Sequence, residues 1–226
     1  MTYVLSDLHG HLAANIAMMV KIGFRLRDTV YILGDVIDRG KFGIDLLRSM
    51  RETPGVIPFI GNHESLALPL LKAMRDGTPL EKIKRSKAYA VWEAIGGGPT
   101  AEAFNSHGRR IQSEIIEYVE SFTVYDEIEA GGKRFHLSHT LPAYDPGRDV
   151  HDVTLHEFIW GEPDYDVCYD PDVTFITGHT PTGLIDKESA GKIWRGNGHI
   201  AVDCGASFEG GRLGCLCLDT MEEYYV

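Results

Sequence analysis

Five short segments of this chain share one habit: an apolar run stops at residue types able to hold a metal ion. They are Ser6-Asp7-Leu8-His9-Gly10, Gly34-Asp35-Val36-Ile37-Asp38-Arg39-Gly40, Gly61-Asn62-His63-Glu64, Leu137-Ser138-His139 and Thr177-Gly178-His179-Thr180. The glycines allow tight turns and close backbone approach beside the ligand types. Asp, Asn and His form a mixed oxygen and nitrogen donor set, better suited to Mn, Fe or Zn than to Ca, and no thiolate belongs to it. Asp7, His9, Asp35, Asn62, His139 and His179 make six candidate ligands, too many for one ion. Two ions sharing one bridging carboxylate, about 3.5–4 Å apart, are the economical arrangement. The chemistry of such a pair is hydrolytic, because it acidifies a water and steadies the charge of an in-line displacement.

The elements that must position these residues follow from the apolar patterning. Thr2–Ser6, Thr29–Leu33 and Val56–Ile60 read as strands, each running into one of the segments above. Helical spacing over Leu12–Ile22 and Ile44–Met50 separates them. Strands alternating with helices predict an α/β layer fold with a largely parallel sheet, whose sites lie at the C-terminal strand ends. From Glu64 to about Glu120 the pattern turns helical, with breaks near Gly77, Gly96–Pro99 and Gly108. After Phe122 strands return: Phe122–Glu129 and Lys133–Ser138 flank Ala130-Gly131-Gly132, a hairpin signal. Val173–Thr177, Lys192–Arg195, Ile200–Asp203 and Leu213–Leu218 follow. The expectation is one domain over 1–226 with a helical insertion at about 64–121.

Composition sets the outer limits. At 226 residues with 43% apolar and 24% charged residues the chain is globular, long enough for a core without staples. Its net charge of −11 argues against coating nucleic acid or an anionic membrane through a basic face. The 25 glycines and ten histidines are in excess, as a metal site would explain. Cys168, Cys204, Cys215 and Cys217 form no C-x-x-C pair and read as reduced thiols. No apolar run reaches the roughly 18 residues of a membrane span, and no basic leader is visible. A cytoplasmic monomer is expected, with no nucleic-acid or membrane partner.

The order D-x-H-G, G-D-x-x-D-R-G, G-N-H-E, a later single His and G-H-T resembles the phosphoprotein phosphatase family of calcineurin-like metallophosphoesterases. Trp92, Gly97-Gly98-Pro99-Thr100 and Asp203-Cys204-Gly205-Ala206 are similar to its bacterial and phage (lambda-type) members. The resemblance runs from Asp7 to about Leu218. It implies a sandwich of two β-sheets flanked by helices, and two divalent ions, most often Mn, with Fe, Zn or Ni as substitutes. It places Asp7 and His9 on one ion, Asp35 between the ions, and Asn62, His139 and His179 on the second. His63 would be the general acid, oriented by Asp38, while Arg39 and Asn62 would bind the phosphate. The implied activity is hydrolysis of phosphoserine and phosphothreonine, with phosphotyrosine and small phosphomonoesters tolerated, through hydroxide attack on phosphorus in line. The partner is then a phosphoprotein or a small phosphomonoester.

Two departures bear on the substrate. Glu162, in Ile159-Trp160-Gly161-Glu162-Pro163, stands where lambda-type members carry a second phosphate-binding Arg. Arg148, the only Arg between His139 and His179, is the candidate replacement. Thr140-Leu141-Pro142 replaces the usual small residues after the first late His and is expected to reshape the cleft wall. Two other functions are open: a symmetrical dinucleoside tetraphosphatase, and a metal-bound regulatory module without catalysis. Bland roles are assigned to the rest. Asp38 has helix N-capping as its alternative, and Glu64 is expected simply to favour the first turn of its helix. His11, His107, His136, His151, His156 and His199 are read as structural. Lys82, Lys84, Arg85 and Lys87 form a solvated helix face, and Tyr224-Tyr225 is packing.

Overall fold

Two strand–helix units and a third strand open the chain: β1 (Thr2–Leu5), α1 (Leu12–Lys21), β2 (Thr29–Ile32), α2 (Gly43–Arg51) and β3 (Val56–Pro58). Five helices follow: α3 (Asn62–Arg75), α4 (Leu80–Ile83), α5 (Lys87–Ala94), α6 (Gly98–Asn105) and α7 (Arg109–Glu120). The second half contains β4 (Tyr125–Ala130), β5 (Lys133–Ser138), α8 (Leu155–Trp160), β6 (Thr174–Thr177) and α9 (Thr182–Ile185). It closes with β7 (Trp194–Gly196), β8 (His199–Ala201), β9 (Gly214–Cys217) and β10 (Glu223–Tyr225). This computed structural model describes residues 1–149 and 152–226; His151 lies outside the described residues.

The strands form two five-stranded sheets, ordered β10-β9-β1-β2-β3 and β4-β5-β6-β8-β7. β1, β2 and β3 run parallel, as do β5, β6 and β8. β9, β4 and β7 pair antiparallel with β1, β5 and β8, and β10 pairs antiparallel with β9, so each sheet is mixed rather than largely parallel. The reason is local: β4–β5, β7–β8 and β9–β10 are joined by short turns, which return the chain antiparallel, whereas parallel neighbours need a crossover. The β4–β5 turn is the predicted hairpin, with Gly131 at φ 54° and Gly132 at φ 75°, the two left-handed positions of a type I′ turn.

Strand alternation decides which core each residue enters. Tyr3 and Leu5 of β1, with Cys215 and Cys217 of β9, face the helices and pack with Met18, Leu47 and Ile116. Val4 and Leu216 face the other way, meeting Phe135, Leu137 and Ile176 of the second sheet. Phe175 points out of that sheet onto Phe158 of α8. The order is helices, sheet, sheet, then α8. Helix α7 shows the cause of the first layer: Gln112, Ile115, Ile116 and Val119 are buried at i, i+3, i+4 and i+7, one stripe of a 3.6-residue period. Among the described residues no helix is long and apolar enough to cross a membrane.

Candidate active site

All five ligand-bearing segments emerge at the C-terminal ends of parallel strands: β1, β2 and β3 in one sheet, β5 and β6 in the other. The backbone there is forced into an unusual shape. Asp7, His9, Asp35, Asp38, Arg39 and His179 have φ between 42° and 72°, six of the eight non-glycine residues with positive φ among the described residues. Such conformations cost about 1–3 kcal/mol each and persist only where the surroundings impose them. Here the imposition is visible: His9 N–H donates to Asp35 O at 2.9 Å, and Gly10 N–H donates to Val36 O at 2.7 Å, locking the first two loops together. Glycine is required where loops meet ligands. A Cβ on Gly61 would lie 2.1 Å from Asp35 Oδ1, and one on Gly178 would lie 2.4 Å from Asp7 Oδ2.

The side chains converge on Asp35. Its Oδ1 is 3.5 Å from His139 Nε2; its Oδ2 is 3.9 Å from His9 Nε2 and 3.7 Å from His63 Nε2. One carboxylate therefore joins two groups able to hold a cation, His9–Asp35–His63 and Asp35–His139–His179. Asp7 Oδ1 stands 3.8 Å from His9 Nε2, while its Oδ2 accepts the His179 N–H at 2.9 Å. On the second side Asn62 Oδ1, His139 Nε2 and His179 Nδ1 lie 3.0–3.2 Å from one another. His139 Nδ1 is 2.7 Å from Leu33 O, so that nitrogen carries the proton and Nε2 presents a lone pair. With its amide turned over, Asn62 donates from nitrogen to His139 Nε2 at 3.0 Å; in the other orientation its oxygen joins the imidazole nitrogens as a donor set that a cation would satisfy.

Charge tells the same story. Burial pushes the Asp7 acid up to about 6, helped by the neighbouring charge of Asp35, and burial likewise raises Asp35 to about 6. Burial drives His9 well below its ordinary value, lowers His139, and takes His179 down to about 3. Neutral imidazoles beside carboxylates that resist ionisation are what a divalent cation would bind and whose protons it would displace. His63 behaves differently. Burial works against its charge, but Asp35 and the Asp38 hydrogen bond outweigh burial and raise it to about 9. Its Nδ1 donates to Asp38 Oδ2 at 2.7 Å, leaving Nε2 as the protonated end inside the site.

The helical insertion holds Asp38 in place. Trp92 Nε1 donates to Asp38 Oδ2 at 2.7 Å, and the Asp38 N–H donates to Thr100 Oγ1 at 2.9 Å. Asp38 caps no helix, since α2 begins at Gly43 behind Phe42. Arg39, exposed at the rim, donates from Nη1 to Ser207 Oγ at 2.8 Å and lies 5.0 Å over the Phe208 ring.

Two expectations are corrected. Glu64 does far more than favour a helix turn. It is fully buried, and its carboxylate accepts the N–H groups of Asp35, Val36, Ile37 and Gly61 at 2.8–3.1 Å. Burial and the charge of Asp35 push its acid up to about 7. Arg148 is not brought to the ligand cluster. It is bound to the Glu157 carboxylate and to Asp152 O, and lines a separate cavity with Tyr144 and Tyr169. Glu162 is exposed, while Trp160 reaches the site, its ring 6.4 Å from that of His179. Thr140 is fully buried and ties the cleft wall to α8, donating from N to Phe158 O at 2.9 Å and from Oγ1 to Gly161 O at 3.0 Å.

Asp203 was missed as a site residue. It is buried, and burial together with the charge of Asp7 raises its acid well above the usual range. The signal was present: Ile200–Val202 is another apolar run that stops at a carboxylate. Two of the remaining described histidines are held by their surroundings. His136 is buried among Tyr125, Phe158 and Phe175, and His199 Nε2 is 3.0 Å from Val167 O.

A shared carboxylate flanked by imidazoles at the strand ends of a two-sheet sandwich offers two adjoining places for a divalent cation. The model of the calcineurin-like phosphoesterases matches residues 2–183, and this chain belongs to that family. A curated relative, the symmetrical bis(5'-nucleosyl)-tetraphosphatase of Yersinia pestis (strain Pestoides F), is 31% identical over 84 residues. That match covers 36% of this chain and only 29% of the relative. A solved putative diadenosine tetraphosphatase superposes with a TM-score of 0.67 at 16% identity, covering 100% of this chain and 92% of the other. A Saccharomyces cerevisiae protein serine/threonine phosphatase with similarity to human phosphatase PP5 gives 0.64 at 15% identity, covering 95% and 71%. At such identities these structures share the fold.

Proposed function

We propose that this protein is a metal-dependent phosphomonoesterase acting on phosphoserine and phosphothreonine, with His63 as general acid. The observation that carries the reading is the pinned imidazole: Nδ1 held by Asp38 at 2.7 Å, Nε2 directed into the site, the charged form favoured up to about 9. A serine alkoxide leaves poorly without a proton, and a positioned acid contributes about 10²–10⁴-fold. A nucleoside polyphosphate leaves readily as an anion and gains less from such an acid. Two divalent cations, held by Asp7, His9, Asp35, Asn62, His139 and His179, supply positive charge and an acidified water when bound. The chain's own residues do the rest. Arg39 offers its guanidinium fork to the phosphoryl oxygens. Asp38 fixes the His63 tautomer and favours its protonated form, and Trp92 and Thr100 keep Asp38 from rotating away.

The test compares leaving groups. His63→Asn should lower turnover of a phosphoserine peptide by about 10²–10⁴, and that of p-nitrophenyl phosphate much less, because its phenolate needs little protonation. Equal losses on both substrates would refute the acid role. The second reading, a symmetrical dinucleoside tetraphosphatase, is favoured by the names of the curated relative and the superposing structure. Release of ADP from diadenosine tetraphosphate far faster than phosphopeptide turnover would select it.

A further inference from the structure

The geometry points to a subsite beside Arg39 that receives an apolar side chain flanking the phosphorylated residue, an inference resting on the phosphomonoesterase reading above. A cavity of about 250 Å³ opens between Pro181–Leu184 and the loop Cys204–Gly211. Both walls spring from the site itself: Pro181 lies two residues past His179, and Cys204 follows the buried Asp203. Phe208 lines this cavity and also carries the Arg39 guanidinium, 5.0 Å from its ring centre. An extended peptide advances about 3.3–3.6 Å per residue, so a phosphate held by Arg39 leaves the neighbouring residue within reach of the cavity.

The wall chemistry selects the occupant. Leu184 and Phe208 stand 79% and 52% exposed at its edge, large apolar side chains with unused surface. Several polar groups of the wall are already employed. Thr182 Oγ1 donates to Ser189 O at 2.9 Å. The N–H groups of Leu184, Phe208 and Gly211 donate to Pro181 O, Gly205 O and Phe208 O. The carboxylate of Glu209 is exposed at the rim. A nucleobase would lay ring nitrogens and an amino group against Leu184 and Phe208, whose side chains offer no polar atom, and burying unpaired polar groups is costly. A leucine or phenylalanine side chain brings none. The cavity thus assigns the substrate a hydrocarbon neighbour, and so favours a phosphopeptide over a dinucleotide.

The test uses the full chain loaded with Mn²⁺ and pairs of phosphoserine peptides that differ in one residue beside the phosphoserine, leucine against serine, on either side. On the favoured side, kcat/KM should prefer leucine by about tenfold or more, the range in which hydrophobic pockets discriminate. Ala190→Phe, which fills the cavity, and Leu184→Ser, which strips its edge, should each bring that ratio toward one. Leu184 is exposed, so its variant keeps the test sound if Ala190→Phe does not fold. A ratio near one on both sides in the wild type, or a preference unchanged in the folded variants, would overturn the subsite. Loss of diadenosine tetraphosphate turnover in the variants with the peptide ratio unmoved would give the cavity to a nucleobase and overturn it too. Turnover of neither peptide would overturn the phosphomonoesterase reading and the subsite together.

Discussion

Replacing Glu64 with glutamine isolates the device that holds the Asp35 loop. The carboxylate takes four backbone N–H groups, two on each oxygen: Val36 and Ile37 on Oε1, Asp35 and Gly61 on Oε2. A glutamine of the same shape has one oxygen, so in either amide orientation its NH₂ faces two N–H donors. Two charge-assisted bonds are lost, at about 1.5–3 kcal/mol each, which gives about 3–6 kcal/mol. Part is offset because the amide carries no buried charge, and burial already raises the Glu64 acid to about 7. A net loss of about 2–5 kcal/mol is expected, a large fraction of the roughly 5–15 kcal/mol that holds a domain folded. Because two of the displaced donors flank Asp35, Mn²⁺ affinity should fall with stability. Urea unfolding followed by circular dichroism, with calorimetric titration of Mn²⁺ on the folded variant, measures both. A variant within about 0.5 kcal/mol of wild type with unchanged Mn²⁺ affinity would refute the role, since that is the effect of an ordinary surface change.

Other consequences are as direct. The Asp7 and Asp35 acids are raised to about 6 by burial, so without metal the stability of their neutral forms is full below about pH 4 and is lost as pH rises through 6. Protons on these acids compete with a cation at pH 5, so Mn²⁺ should raise Tm more at pH 7.5; equal gains at both would refute this. Gly178→Ala should leave expression intact but cut Mn²⁺ affinity at least tenfold in calorimetry, because the new Cβ falls 2.4 Å from Asp7 Oδ2. Trp92→Phe keeps the aromatic packing and removes the N–H on Asp38. It should lower kcat for phosphoserine about tenfold with KM little changed, and shift the basic limb of the pH profile; an unmoved profile would refute its role as a positioning residue.

The ligands were legible because each follows an apolar run that stops at Asp, Asn or His, and such stops fall at strand ends in layered α/β folds. The supports were not legible. Glu64 and Trp92 act through groups 27–29 and 54 residues away in the chain, separations at which local pattern says nothing. Arg148 is the one Arg the chain offers between His139 and His179, and chain position does not show that Glu157 holds it. A signal for that did exist: Thr154-Leu155-His156-Glu157 is a capping box, and the structure forms it at the start of α8. The mixed sheets escaped the early pattern because their antiparallel edges come from the second half of the chain.

The left-handed residues around the site have a consequence for anyone improving this protein. Asp7, His9, Asp35, Asp38, Arg39 and His179 each hold a backbone shape that glycine would adopt without penalty. A library screened for heat resistance alone would reward glycine at these positions, and would enrich robust scaffolds stripped of their chemistry. Selection would have to couple survival to turnover. The same six backbones then serve as a ledger of where thermal hardiness has been surrendered to reactivity.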